Sequence, residues 1–116
     1  MGTSAPDELR VARDRRSLTV AWGERSHVIS AELLRVESPS AEVQGHDPSQ
    51  KKLVAGKRDV AIAAIQPTGN YAVRIAFDDG HDSGIYTWAA LERFGRESEA
   101  MMANYEAALR AAGRER

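Results

Sequence analysis

The sequence predicts an α+β domain: a small antiparallel, β-rich body of about five strands in hairpin and meander arrangement, with short helices and a C-terminal helix. Three observations carry this prediction. Residues 17–29 alternate apolar and polar side chains about a glycine turn. Two apolar runs, Val60–Ile65 and Tyr71–Phe77, flank the turn signal Pro67-Thr68-Gly69-Asn70. The segment 97–112 is rich in alanine and carries its larger apolar residues at helical spacing.

Taken in order, residues 1–16 mix Gly, Pro and charge with few large apolar side chains, so a flexible N-terminal arm is expected there. From Ser17, Leu18, Val20 and Trp22 alternate with Thr19 and Ala21, the period of a half-buried strand. Gly23-Glu24 supplies a turn, and a second strand is expected near 26–30. Ser30 is placed to cap a short helix over 31–36, its hydroxyl accepting from a first-turn N–H, with Glu32 favoured by the positive helix end. Pro39 lies beyond the end of that helix. Residues 37–58 contain Pro39, Gly45, Pro48 and Gly56 and show little periodicity, so a long surface loop is expected, with fast amide exchange across Gly45–Gly56.

Strands near 59–65, 71–77 and 84–87 then form a three-stranded meander. In the middle one, Tyr71, Val73, Ile75 and Phe77 share the face expected to be buried. Asp78-Asp79-Gly80-His81-Asp82-Ser83-Gly84 is the tight connection to the last strand, with two glycines free to take positive φ. Thr87 suits the N-cap of a helix over 88–94 and Gly95 its C-terminal stop; a separate helix over 97–112 is closed by Gly113. Its stripe of Met101, Tyr105, Ala108 and Leu109 can pack on the core or serve homodimerisation. The expected organisation is thus an arm (1–16), a domain (17–95) and a C-terminal helix with tail (96–116).

With 116 residues, the chain has room for one domain and none for a second, catalytic one. Lys plus Arg total 16 against 17 Asp plus Glu, so net charge supplies no reason to expect nucleic acid or an anionic membrane as partner. No apolar run approaches the roughly 20 residues of a membrane span, and the N-terminus lacks the apolar core of a signal peptide, so the expected compartment is the cytoplasm. Cysteine is absent, which excludes disulfides, thiolate metal ligation and a cysteine nucleophile in this chain.

Motifs remove further chemistries. The three histidines, His27, His46 and His81, belong to no H-E-x-x-H helix and no H-x-D pair. Gly56-Lys57 is followed by Arg58 where a phosphate loop needs Ser or Thr. Neither a nucleophile elbow nor a dinucleotide fingerprint occurs. No catalytic constellation is found, and an enzyme is not expected. The acids Asp78, Asp79 and Asp82 beside His81 have two readings, an acid/base or metal cluster and turn residues whose side chains bond the local backbone.

The run from Pro67 to Trp88, with its D-G-H-x-x-G-I-Y core at Asp79–Tyr86, followed by Leu91, resembles the signature of the gamma-butyrobetaine hydroxylase-like N-terminal domain. Leu18–Trp22 and Ala31–Arg35 resemble that domain's opening strand and Leu-Arg helix, extending the likeness over about residues 17–95. The resemblance implies an accessory module. In carnitine-pathway hydroxylases the domain precedes a separate iron and 2-oxoglutarate oxygenase domain; elsewhere it is joined to an Mrp-type P-loop ATPase of iron–sulfur cluster handling, and small bacterial members stand alone. It also implies a structural zinc, held in the hydroxylases by a C-x-C-x-x-C run and a histidine. His81 matches that histidine, whereas Ser38, Ser40 and Val43 stand at the three thiolate positions, and these residues make no tetrahedral zinc site. His81 is then expected to bond within its turn or to the 37–58 loop, near Glu37, Glu42 or His46.

Two functions are then expected. One is a non-enzymatic module without cofactor that binds another protein, an oxygenase or an Mrp-type ATPase, through Asn70, Asp78, Asp79, Gly80, His81, Asp82, Gly84, Tyr86 and Trp88. The other is a small-ligand or weak metal-binding protein centred on His81 with Asp79 and Asp82, or with His46.

Overall fold

A computed structural model describes residues 3–116. Its first sheet is a meander of β1 (Glu8–Val11), β2 (Ser17–Trp22) and β3 (Arg25–Ser30), antiparallel in that order. β2 has the predicted alternation: Leu18, Val20 and Trp22 are buried, Thr19 and Ala21 less so. Gly23 turns the chain at φ 60°. β1 corrects the expectation of a flexible arm, whose first two residues lie outside the described ones. It pairs Leu9 with Val20 and Val11 with Leu18, and both side chains pack on the core.

Ser30 caps α1 (Ala31–Val36) as predicted, its Oγ accepting from Leu33 N at 3.1 Å. The 37–58 segment is less plain than expected. It holds a one-turn helix, α2 (Ala41–Gln44), and a 3-10 turn at Pro48–Gln50, and Lys52 N returns to Val43 O at 2.7 Å.

The second sheet is the predicted meander: β4 (Ile62–Thr68), β5 (Ala72–Phe77) and β6 (Gly84–Thr87), again antiparallel and in sequence order. β4 runs later than the expected 59–65 and takes in Pro67, opposite Val73. Proline is tolerated because β4 is an edge strand, where one missing N–H breaks no inner ladder. Tyr71 does not share the buried face of Val73, Ile75 and Phe77. It belongs to the turn, its N–H on Thr68 O, and is 54% exposed. Among the described residues the strands therefore number six, not five.

The two sheets are joined at the β1–β2 turn. Arg15 adopts φ 63°, a left-handed conformation uncommon outside glycine. Its guanidinium donates to Ile62 O at 2.6 Å and Ala63 O at 2.7 Å, and its own carbonyl accepts from Ile62 N at 2.7 Å. Ala63 is the extra residue where the β4–β5 register shifts, so Arg15 satisfies carbonyls where that ladder is interrupted.

Thr87 caps the last helix as predicted, accepting from Ala90 N at 3.1 Å. The two helices expected over 88–94 and 97–112 are one, α3 (Trp88–Ala111), so the division at residue 95 falls inside a continuous element. Gly95 is no stop signal; it is where the helix meets β3. A Cβ there would lie 2.4 Å from His27 Cβ, closer than any real contact, and only glycine lets the elements approach this far. The first half of α3 contributes Leu91 and Phe94 to the main core with Leu18, Val20, Ile29, Leu33, Leu34, Ile62, Ile75 and Tyr86. Its second half buries Tyr105 and Leu109 against Val36, with Leu53, Val54 and Ala55 alongside. Of the stripe considered for a homodimer, Tyr105 and Leu109 are covered by their own chain, whereas Met101 is half-buried and Ala108 exposed. Arg116 folds back onto the buried Glu32, with Nη2 2.5 Å and Nε 3.1 Å from its carboxylate oxygens.

Candidate functional site

β5 ends at Phe77, and Asp78–Ser83 turn the chain into β6. Gly80 takes φ 92°, Gly80 N donates to Phe77 O at 3.1 Å, and Phe77 N donates to His81 O at 2.9 Å. His81 N is held by Asp79 Oδ1 at 3.0 Å. These bonds direct the imidazole inward, 8% exposed, with its centroid 6.3 Å from that of Phe77. The chain leaving α1 meets it from the other side. Ser38 and Ser40 are both buried, and their hydroxyls lie 3.0 Å and 3.3 Å from His81 Nε2. The two hydroxyls are 3.2 Å apart, and Ser40 N donates to Ser38 Oγ at 3.3 Å. Ser40 precedes α2 without capping it, because its hydroxyl serves the histidine instead.

On the far side of the ring, Nδ1 is 3.3 Å from Glu42 Oε2. Of the three neighbours expected in the loop, Glu42 alone reaches the ring; Glu37 pairs with Lys51, and the exposed His46 bonds through its backbone to Gln50. A carboxylate at Nδ1 fixes the tautomer: Nδ1 carries the proton and Nε2 accepts from serine. Burial, with the Arg35 charge, holds His81 below its usual 6.5 against the pull of Glu42 and Asp79, so it is neutral at pH 7. Gly84 closes the cluster, since a Cβ there would stand 2.5 Å from Ser38 Oγ. Tyr86 lies beneath, fully buried, its hydroxyl donating to Leu34 O and its pKa pushed up chiefly by burial.

The remaining predicted residues are not gathered around His81. Asp79 faces Arg35 Nε at 2.8 Å and Lys57 Nζ at 2.7 Å. Burial of this carboxyl is outweighed by Lys57, the His81 N–H and Arg35, which hold it at about 2. Arg35 is nearly enclosed, and its Nη1 is buried without a hydrogen-bond partner among the described residues. Asp78 is a turn residue accepting from Ala61 N at 3.0 Å, and Asp82 is exposed, 4.0 Å from Arg74. Asn70 O accepts from the half-buried Trp88 Nε1 at 2.9 Å. Of the acids near His81, the turn reading holds for Asp79, which accepts from the backbone N–H two residues on, while Asp78 bonds the backbone of a distant segment, and Asp79, His81 and Asp82 do not converge. Among the described residues no three His, Asp or Glu side chains are grouped to hold a metal ion. Arg35 and Lys57 were not singled out from sequence, and no spacing marks them. The exposure of Tyr71 and Ile85 was likewise missed.

Three of the four positions that the resemblance assigns to metal ligands are therefore brought together, Ser38, Ser40 and His81 being in mutual contact, and the fourth, Val43, is buried within α2. Two neutral hydroxyls, an isopropyl group and one imidazole do not fit tetrahedral zinc. Over residues 9–92 the sequence matches the family model described as gamma-butyrobetaine hydroxylase-like, N-terminal. The chain belongs to this family. Solved structures agree with the fold of this gamma-butyrobetaine hydroxylase-like domain. Two proteins solved by NMR in solution match with TM-scores of 0.85 and 0.83 at 41% and 43% identity. They cover 99% and 98% of this chain, which spans 91% and 86% of theirs. A crystal structure of a protein of unknown function from Acidithiobacillus ferrooxidans, of the DUF971 family, matches with a TM-score of 0.64 at 35% identity, covering 78% of this chain and 91% of that one. No curated protein matches the sequence.

Acid should unlock the cluster in two steps. A histidine held below its usual pKa contributes stability that fades as pH falls through 6.5, because the unfolded chain takes the proton first. An aspartate held at about 2 contributes stability present above 3.8 and lost between 3.8 and 2. Urea unfolding between pH 7 and pH 2.5 should show both losses, the second of about 1–2 kcal/mol. His81→Gln should lack the first and Asp79→Asn the second; an unchanged profile in either variant would contradict its assignment.

Proposed function

We propose that this chain is a non-catalytic accessory module that acts by binding another protein, with the zinc site of its family lost and the Ser38–Ser40–His81 cluster in its place. The observation that supports this reading is closure. Both ring nitrogens of His81 are engaged, by serine hydroxyls and by Glu42, and the ring is buried, so it offers no free lone pair to a substrate or a metal. The cluster does what a structural metal does, tying the chain after α1 to the β5–β6 turn. The same closure disfavours a ligand site at this turn.

A binding role then falls to the surface around the meander. With Tyr86 in the core and Asp79 committed to Arg35 and Lys57, the surface available comprises Asn70, Asp82 and Trp88, joined by Tyr71 at 54% and Ile85 at 42% exposure. Ile85 lies on the outer face of the second sheet opposite Arg74. The family resemblance points to an oxygenase or an Mrp-type P-loop ATPase as the class of partner. Affinity purification of the tagged chain from its own cells should enrich such a protein, and the double variant Tyr71→Asp, Ile85→Asp should lose it while keeping native circular dichroism. An identical set of co-purifying proteins from both would refute this surface.

A further inference from the structure

Away from the His81 cluster, Tyr105 on α3 donates its hydroxyl to Val54 O at 2.6 Å and fixes the extended segment 51–55 beside the helix. Between segment and helix lies a groove of about 380 Å³, floored by Val36, Leu53, Met101 and Tyr105. That volume is in the range of small-molecule sites, which bury an apolar body and orient it with a few polar groups. The rim supplies such groups unevenly. Lys51 is matched by Glu37 at 2.6 Å and Arg93 by Glu97 at 3.5 Å, whereas Lys52, also on the rim, has no ion-pair partner among the described residues. The groove shares no lining residue with the cluster around His81, so a ligand held there is independent of the accessory-module reading.

We propose that this groove binds a small amphiphilic carboxylate, with its aliphatic or aromatic body on the apolar floor and its carboxylate at Lys52. The charge count selects this class. A cation would face three basic groups across the opening, and a multiply charged anion would find one unmatched lysine and the repulsion of Glu37. A purely apolar ligand would leave Lys52 unused, and a fully hydrated anion gains nothing from the floor.

Octanoate, octylammonium and octanol, titrated separately into the isotope-labelled chain, hold the apolar body constant while the charge changes. Octanoate should shift the amide resonances of Leu53, Val54 and Tyr105. Lys52→Glu should weaken its binding about tenfold, as loss and reversal of one partly exposed charge pair imply, and Lys52→Arg should retain it. Lys52 is exposed, so its variants should keep the parent's amide spectrum elsewhere. Three results would each overturn the proposal: no shifts at the groove with octanoate, equal shifts with octylammonium or octanol, or unaltered octanoate binding by Lys52→Glu.

Discussion

A chain carrying Ser38→Cys, Ser40→Cys and Val43→Cys is expected to take up one zinc ion, held by three thiolates and His81 Nε2. Donors around a tetrahedral zinc stand about 3.5–4 Å apart, given bonds of about 2.3 Å to sulfur and 2.0 Å to nitrogen. The hydroxyls of Ser38 and Ser40 lie 3.0 Å and 3.3 Å from Nε2 and 3.2 Å from one another, so the site needs to open by only a few tenths of an ångström. Val43, three residues after Ser40, is buried in α2. The histidine is already prepared. Glu42 at Nδ1 leaves Nε2 unprotonated and supplies the carboxylate that commonly orients a metal-bound imidazole. Zinc at 100 times its Kd would add about 2.7 kcal/mol, on the order of 10 °C in Tm. Metal analysis and thermal unfolding check both parts. His81→Gln in the same background should abolish them, and a folded triple variant without stoichiometric zinc would refute the correspondence between Ser38, Ser40, Val43 and the family's ligands.

The second large effect is expected at Gly95. Helix propensity alone makes Gly95→Ala favourable by about 1 kcal/mol, since glycine is a poor residue within a helix. The new methyl group, however, would stand 2.4 Å from His27 Cβ and 2.5 Å from its Cγ, and the Cβ is fixed by the backbone of β3, so no rotation of the side chain moves it aside. Relief requires the helix and sheet to part, loosening the contacts of Leu91 and Phe94 as well. Overpacking of this kind costs about 1–3 kcal/mol and sometimes more, so Gly95→Ala should destabilise and Gly95→Val should do so by at least about 3 kcal/mol, seen as a lower midpoint in urea. His27→Gly, which removes the opposing Cβ, should restore part of the loss. A stabilised Gly95→Ala would mean that helix and sheet do not approach this closely.

The same glycine shows where sequence is ambiguous. Seen locally, Gly95 after an apolar helix is a stop signal; its role is a contact with a residue 68 positions earlier, which no window contains. Features governed by neighbours were legible: both N-caps, the glycine turn after Trp22, and the β5–β6 hairpin. β1 was obscured because it is a four-residue edge strand with alternating half-burial, in a stretch whose Pro6 and charges resemble a leader. Tyr71 fits the alternation of β5, but the turn ends one residue later and takes it out of the strand. At the site, the conjunction of Ser38, Ser40 and His81 was implied by resemblance alone, because two serines and a distant histidine carry no pattern of their own. Arg35 and Lys57 were invisible for a related reason. Their common partner Asp79 is brought to them by the fold, not by spacing along the chain.

Because each sheet is a meander of consecutive strands, every strand pairs with the one just before or after it. Such pairing closes short loops, which favours rapid formation. The two meanders can then arise as separate kinetic units, with the slower event their docking under α3. Arg15 spans that junction, bonding a residue 47 positions away and closing a loop far longer than any within either sheet. Its left-handed backbone is set when the β1–β2 turn closes, so the local cost of that conformation falls on the first hairpin, and the bonds to Ile62 and Ala63 that offset it form only when the sheets dock.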